Sequence, residues 1–525
     1  MYKRQQYNLA YSNYVLVVLT IVYIFNFIDR QILSILNEHI KADLGMSDAE
    51  MGFLYGTAFA LFYATFGIAL GRLADVWVRR SLIAWSLAFW SAATALSGLT
   101  RNFFELAMAR IGVGIGEAGA TPAAFSMLSD YFPVARRATV LAIYTSGVFI
   151  GVGIGLMIGG GVVERWDNAF SAGDAPFGLR GWQVAFFVVG LPGLLMAAWV
   201  RSLREPKRGQ MDGIETPEEP HPFREFGREL RAVIPPFTWF HLRKEGASKR
   251  ALVTNLSAAA SLGLAAFGLI RLTGDGPQWI AVAVGVYATV SWFQALGLRD
   301  PPSARLILRS PSLQLTTWGV GALAFSLYAI GYWTAPLFLR FHNLDIGQVG
   351  LMVGGTAAAG GFIGATLGGA LADAWRRRNR RGRLYQLFLG GVLPVPFLFG
   401  VLYLEDTRAA LFANFLLNVF STLWVGAAAS TVQDLVLPRM RATASAFYIL
   451  IVTLVGLALG PYFVGQLSDA TGDLRKAMLL GLLGYAVGAI LLATACRYLV
   501  RDEDTLLSRA RDAGEVVTHT GGGAS

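Results

Sequence analysis

The sequence predicts an all-α polytopic membrane protein, two bundles of six spanning helices with a two-helix hairpin inserted between them. Three observations predict it. The composition is too apolar for a chain dissolved in water. Apolar runs of bilayer length recur from one end to the other. One short motif occurs twice, at matching places in the two halves.

Of 525 residues, 54% are hydrophobic and only 15% are charged, against about a quarter charged in soluble domains. The 60 glycines suit helices that approach closely in lipid. A single cysteine, Cys496, excludes an intrachain disulfide and any Cys-x-x-Cys redox or metal site. Five histidines without ligand spacing predict no metal site. The net charge of +10 sits in loops between apolar runs, which is membrane topology and predicts no nucleic-acid partner.

A helix needs about 20 apolar residues to cross a bilayer. In the first half such runs fall at 14–36, 51–71, 81–99, 104–128, 138–163 and 182–203. In the second they fall at 313–339, 347–372, 384–404, 409–432, 441–466 and 476–499. Two more, 251–272 and 278–298, form a hairpin about the turn Thr273-Gly274-Asp275-Gly276-Pro277, and a hairpin leaves the parity of later spans unchanged. The chain therefore divides into a first bundle (1–203), a linker (204–250), the inserted hairpin (251–298), a second bundle (299–500) and a tail (501–525). The linker is broken by Pro206, Pro217, Pro220, Pro222, Pro235 and Pro236 and predicts one surface helix over 223–233. The tail is polar, ends in Gly-Gly-Gly-Ala-Ser and is expected to be disordered.

Orientation follows from the bias of Lys and Arg toward the cytoplasm. Arg79, Arg80, Arg136, Arg137, Arg204, Lys207, Arg208 and the run Arg376 to Arg383 alternate with loops holding Glu38, Asp43, Asp48, Asp167, Asp174, Glu405 and Asp406. Both termini are expected in the cytoplasm of a multi-pass protein. The first run is long and has no Ala-x-Ala cleavage site, so it is expected to be a retained helix. The sequon Asn255-Leu-Ser257 lies in a predicted span, so glycosylation is not expected and a bacterial inner membrane is the expected home.

The repeat is the most specific signal. Gly71-Arg-Leu-Ala-Asp75-Val-Trp77-Val-Arg79-Arg80 aligns without gaps on Gly369-Ala-Leu-Ala-Asp373-Ala-Trp375-Arg-Arg377-Arg378, with seven of ten positions identical. Each copy follows the second span of its half. A fainter echo follows the fourth span, where Asp130, Pro133 and Arg137-Ala138-Thr139 match Asp434, Pro438 and Arg441-Ala442-Thr443. Two halves related by a parallel repeat are what alternating-access transporters are built from.

The pattern Gly-x-Leu-Ala-Asp-x-x-x-Arg-Arg resembles the signature loop of the major facilitator superfamily, although Val76 and Val78 stand where that family has Arg and Gly. The resemblance covers the chain apart from the hairpin, linker and tail, and it implies the major facilitator fold. It also implies a cytoplasmic gate latch at Gly71, Asp75, Arg79, Arg80 and Arg137, with a second, degenerate copy at Asp373, Arg377 and Arg378. A carboxylate at a helix end can face the positive N-terminus of a helix in the other half, which agrees with the latch. The glycines at 147, 151, 155 and 159 in the fifth span, and at 360, 364 and 368 in the eighth, form small-residue stripes. They are expected to line the interface between halves, where the resemblance places those two helices; the alternative is tight packing inside each half.

Ionisable groups inside spans are costly, about 2.5–3.5 kcal/mol each on insertion scales. Asp29 and Arg30 lie in the outer part of the first span, and Arg110 and Glu117 lie seven apart on one face of the fourth. Tyr23, Asn26, Arg30, Ser34 and Asn37 make a polar stripe, and Gly114 leaves room between Arg110 and Glu117 for a ligand or a neighbouring helix. Unpaired, the four charges would cost on the order of 10 kcal/mol, so they pair or face a wet cavity. One reading is a permanent structural network. The other is that Glu117, ahead of Asp29, carries a coupling proton while Arg30, Arg110 and Asn26 hold an anionic headgroup.

Asn-Phe-Ile-Asp-Arg in the first span and Arg-Ile-Gly-Val-Gly-Ile-Gly-Glu-Ala in the fourth resemble the spinster branch of the superfamily. That branch moves lysolipids and sphingosine phosphate, and the resemblance implies proton coupling and headgroup recognition at these four positions. An amphiphile needs an apolar berth, expected at Trp318, Phe325, Tyr328 and Tyr332, with Asn414 and Asn418 on the tenth span. Proton-coupled export of a lysolipid or phosphorylated amphiphile is the reading preferred here. The alternative is a proton symporter of a small organic anion, for which another buried cation would be expected in the second half, and none is found deep in spans seven to twelve. No nucleophile–base pair or nucleotide loop predicts an enzyme. The expected partners are substrate, protons and the bilayer around a monomer, with the proton gradient in place of any cofactor.

Overall fold

The computed structural model describes residues 9–170, 174–212 and 220–515, and all fourteen predicted spans are helical in it. The proline-bearing part of the linker at 213–219 and the tail from 516 onward lie outside the described residues. In the first half the helices are Leu9–Leu44, Asp48–Tyr55 running on into Thr57–Val76, Arg79–Ser97, Phe103–Glu117 followed by Ala120–Tyr131, Val134–Ala169 and Gly181–Arg201. The hairpin is Lys249–Thr273 and Gly276–Arg299. The second half runs Pro311–Phe341, Ile346–Arg378, Gly382–Val392 with Pro394–Tyr403, Thr407–Ser421 with Val425–Asp434, Arg441–Ile451 through Gly460–Thr471, and Leu474–Met478 with Gly481–Asp504.

Local chemistry sets the ends. Ser47 and Glu50 form a reciprocal capping box at the start of the second span. Asn102 accepts the Glu105 amide at the start of the fourth, and Asp406 accepts that of Ala409 at the start of the tenth. The hairpin turns because Gly274 adopts φ +82°, a left-handed cap that side chains resist.

Twelve helices meet the length and apolarity needed to span a membrane. The third and fourth spans fall short for visible reasons: Arg79–Ser97 opens on two arginines, and the fourth carries Arg110 and Glu117 and breaks at Ala118-Gly119. Two sequence expectations are corrected at the ends of the second bundle and the first span. The final spanning helix continues to Asp504 and is followed by another, Leu506–Asp512, so the tail is helical well past residue 500. The first helix continues to Leu44, which puts Arg30 near its middle rather than in its outer part. Charges at Glu38, His39, Lys41 and Asp43 ended the apolar run but not the helix.

The glycine stripes pack inside the halves, not between them. A Cβ on Gly151 would meet the backbone of Ile24, and one on Gly155 that of Ile28, so the fifth span lies on the first. A Cβ on Gly360 would meet the carbonyl of Phe415, and Gly364 and Gly368 face Val419 and Leu423, so the eighth lies on the tenth. The fifth and eighth spans do meet at the seam between halves, but through another face: Gly153 opposes Gly354 and Ala358, and Gly160 opposes Ile346 and Gly350. A two-residue step turns about 200° around a helix, so Gly151 and Gly153 point in nearly opposite directions.

The halves close on one another at the end with few basic loops. Gly52 lies against the Pro461 backbone, and Thr57 Oγ1 donates to the Ala458 carbonyl at 2.6 Å, in a π-helical stretch Val452–Ala458 of the eleventh span. At the basic end, Gly67 and Gly71 of the second span and Gly369 of the eighth have open space where a Cβ would stand. The second hairpin helix covers the line where the second and eleventh spans meet, with Gly285 against Leu61 and Leu454, Phe293 on Phe447 at 5.0 Å and Tyr462 donating to Asp275 at 2.6 Å.

Candidate functional site

The four charged residues come together. Arg30 Nη2 donates to Glu117 Oε2 at 2.6 Å, with both side chains withdrawn from solvent. Asn26 Oδ1 accepts from the same nitrogen at 3.4 Å, one turn back on the first helix. Aromatic rings surround the guanidinium: Phe59 at 4.4 Å, Phe27 at 4.7 Å and Tyr63 at 5.2 Å from its central carbon. A cation held over rings is stabilised by their quadrupoles while its edge stays free to hydrogen-bond. Glu117 is the last residue of its helix before the break, so the turn that would bury it against its own helix is missing.

Arg110 and Asp29 sit beside this pair but do not close on each other. Arg110 Nη1 donates to the backbone carbonyl of Asp29 at 3.4 Å, while Arg110 Nε and Nη2 and both carboxylate oxygens of Asp29 are buried without a hydrogen-bond partner. Glu117 Oε1 is likewise unpartnered. Buried polar atoms left unpaired cost about 1–3 kcal/mol each, more when charged. The site is thus built with spare capacity on both the acid and the base side. The gap at Gly114 is filled by the Phe59 backbone of the second span rather than by open space.

The second half repeats the architecture without the charge. Its tenth span breaks after Ser421, as the fourth breaks after Glu117, and each break stands thirteen residues before the matching aspartate, Asp434 or Asp130. The positions of Arg110 and Glu117 are filled by Asn414, which donates to Thr356 Oγ1 at 2.8 Å, and Ser421, which meets Tyr485 Oη at 2.7 Å.

The expected tail berth divides. Trp318 lies on the outside, 44% exposed. Tyr332 is fully buried in the closed seam: it stacks on Tyr55 at 4.3 Å, Asn37 donates to its hydroxyl at 2.8 Å and Ser34 to its carbonyl at 2.6 Å. Both therefore leave the pocket assignment. Phe325 is half-buried beside Phe463, and Tyr328 is half-buried within electrostatic reach of Arg30.

At the basic end, Arg79 is buried in its own half. It binds Asp130 and Ser126, donates to Glu205 Oε1 at 2.8 Å and to the Pro206 carbonyl at 2.8 Å. Arg80 donates to the Leu203 carbonyl at 2.6 Å, and Arg137 pairs with Asp212 at 2.8 Å. Asp75 makes no hydrogen bond to the other half among the described residues; Arg72 and Arg208 are its charged neighbours. The gapless alignment named Arg377 as the counterpart of Arg79, and the structure corrects this. Arg377 is exposed, and Arg383 at the start of the ninth span grips Asp434 at 2.5 Å as Arg79 grips Asp130. Glu503, in the last turn of the twelfth span's helix, takes Arg376 and Arg380 as Glu205 takes Arg79. The eighth helix runs on to Arg378 before the chain turns, which shifts the register.

Sequence reasoning missed the closure opposite the basic end. Arg340 of the seventh span donates to Glu38 at 2.6 Å and to Asp48 at 2.7 Å, Ser468 donates to Asp48 at 2.6 Å, and Asp469 accepts the amides of Asp48 and Ala49 at 2.9 and 2.7 Å. Arg340, one residue past the predicted end of the seventh span (313–339) and on the same side as Glu38 and Asp48, was the available signal.

The Major Facilitator Superfamily pattern matches residues 19–461. The chain belongs to that superfamily. It is similar to an MFS-type efflux pump of Mycolicibacterium smegmatis, 26% identical over 500 residues that cover 95% of this chain and 93% of the relative. It is also similar to protein spinster homolog 1 of Xenopus tropicalis, 24% identical over 88% of this chain and 74% of the relative. A probable L-galactonate transporter of Escherichia coli is 28% identical over 37% of this chain and 39% of its own. Among solved structures, an inward-facing, unoccupied bacterial homologue of the human lysosomal transporter Spinster superposes with a TM-score of 0.67. That match has 24% identity and covers 96% of this chain and 99% of the other. This superfamily member is spinster-like, a multi-pass membrane transporter.

Proposed function

We propose that this transporter exports a lysolipid or phosphorylated amphiphile across a bacterial inner membrane with proton coupling, its basic end lying in the cytoplasm. The buried Arg30–Glu117 pair beside the unsatisfied Asp29 and Arg110 carries the reading. An anionic headgroup arriving at Arg30 or Arg110 competes with a carboxylate for the same guanidinium. The displaced carboxylate, desolvated, takes up a proton, and that competition couples the two fluxes. The spinster resemblance and the efflux relative support the substrate class and direction. The confinement of charge to one half supports an amphiphile, because the other half then offers neutral surface, Phe325 and Tyr328 included, to a chain.

The test is lysolipid binding to purified protein between pH 5 and 8, for the wild type and Arg30→Ala. Binding that Arg30→Ala abolishes supports the reading. Binding of a small carboxylate such as a sugar acid, with none of lysolipid, overturns it in favour of an organic-anion symporter.

A further inference from the structure

From residue 222 to 244 the linker forms two helices that build a second site. Its helix Pro222–Val233 sets Phe223 on Trp77 at 5.0 Å at the basic end of the second span, and its Glu229 takes Arg299, the last residue of the hairpin, at 2.8 Å. A shorter helix, Phe237–Lys244, lies along the hairpin: Thr238 Oγ1 meets Tyr287 Oη at 3.1 Å and His241 Nε2 meets Arg299 at 2.7 Å. Tyr287 precedes Arg299 by twelve residues, roughly 18 Å of helix. Phe237–Lys244 therefore runs beside the last turns of a spanning helix rather than beyond its end, and there Phe237 and Phe240 are 52% and 60% exposed. Large exposed rings at that depth belong in the interfacial layer of a bilayer.

Between the two linker helices is a cavity of about 260 Å³ lined by Arg224, Arg228, Arg231 and Lys244 as well as both phenylalanines. Its carboxylates are already engaged. Glu225 pairs with Arg228 at 2.8 Å, and Glu245 lies 3.6 Å from Arg299. Arg231 donates Nε to the Gly227 carbonyl and has no carboxylate partner among the described residues. Neither Arg224 nor Lys244 has a carboxylate partner among the described residues. Among the described residues, then, three cations without a carboxylate partner converge on one cavity whose rim is aromatic.

We propose that this cavity binds the phosphate of an anionic phospholipid from the adjoining leaflet, with the acyl chains passing over Phe237 and Phe240. Arginines recognise phosphate by paired hydrogen bonds, and each cation near a membrane surface adds to the attraction for anionic lipid. A soluble phosphate ester shares the phosphate chemistry but has no use for the rings. Through Glu229–Arg299 and Phe223–Trp77 the bound lipid would touch both the hairpin and the second span.

The full chain in detergent is titrated with short-chain phosphatidylglycerol, the matching phosphatidylcholine and inorganic phosphate, binding being read by native mass spectrometry. Phosphatidylglycerol should bind in preference to phosphatidylcholine. The pair Arg224→Glu and Lys244→Glu should weaken it about tenfold or more, and so should Phe237→Ser with Phe240→Ser by a smaller factor. Variants are compared only where gel filtration and Tm match the wild type, with Arg224→Gln and Lys244→Gln as the milder pair. Equal binding of the two lipids, or phosphatidylglycerol binding untouched by charge reversal, overturns the proposal. Inorganic phosphate binding as tightly as the lipid, with no effect of the phenylalanine changes, overturns it too and leaves a soluble anion site.

Discussion

Tyr332 of the seventh span stacks on Tyr55 of the second with ring centroids 4.3 Å apart, across the boundary between the two halves. Asn37 and Ser34 of the first span fasten the same residue through its hydroxyl and its carbonyl. The substitution Tyr332→Ala removes the stack, worth about 0.5–1.5 kcal/mol, and a net hydrogen bond worth about 1 kcal/mol. The expected result is a roughly tenfold shift toward states open at this end. A cysteine placed at Gln31, just beneath the seal, in a Cys496→Ser background should label faster with an impermeant maleimide by a similar factor. An unchanged labelling rate would show that the stack does not hold the seam.

Arg383 should matter and Arg377 should not. Removing Arg383 leaves Asp434 and Asp373 without their guanidinium, and Arg383→Ala is expected to lower Tm measurably, by a cost of about 1 kcal/mol at this half-exposed site. Arg377→Ala, on an exposed side chain, is expected to stay within about 0.5 kcal/mol of wild type. Arg79→Ala should cost more than either, about 3–5 kcal/mol, because it strips a buried cation from Asp130 and Glu205. Equal Tm values for the Arg377 and Arg383 variants would restore the gapless correspondence.

Two glycines on one helix pair separate folding from state. Gly364→Ala drives a methyl into the Val419 carbonyl inside the second half and should reduce the yield of folded protein. Gly153→Ala drives one into Gly354 and Ala358 of the opposite half. It should leave each bundle folded while weakening closure of the seam, which the same maleimide assay reads. Normal yield for Gly364→Ala together with loss of folding for Gly153→Ala would reverse the assignment of faces.

The carboxylates are separable by pH. Glu117 is tied to Arg30 at 2.6 Å, whereas both oxygens of Asp29 are unpartnered. Asp29→Asn breaks no ion pair and is expected to leave both the stability and the pH dependence of binding near those of the wild type. Glu117→Gln removes the carboxylate that the headgroup displaces from Arg30 and is expected to flatten the pH dependence of binding and, by stranding Arg30, to lower Tm. Flattening by Asp29→Asn alone, with Glu117→Gln keeping the pH dependence of the wild type, would move the proton to Asp29.

Much of this was legible without coordinates. Bilayer-length runs gave fourteen helices because an unpaired peptide group is intolerable in lipid and each run must satisfy its own backbone. The cost of intramembrane charge singled out Asp29, Arg30, Arg110 and Glu117, and the repeat of Asp75 and Asp373 gave two halves. Only the tertiary structure decided which neighbours these residues meet. Helical spacing says that Gly151 and Gly155 share a face but not which helix covers it; Tyr332 reads as a pocket aromatic until the second span is seen against it. Arg377 and Arg383 are both plausible counterparts of Arg79 until the length of the eighth helix fixes where the ninth begins. Periodicity along one chain is local, set by 3.6 residues per turn, whereas the choice of partner depends on how whole helices pack, and that is a property of the fold.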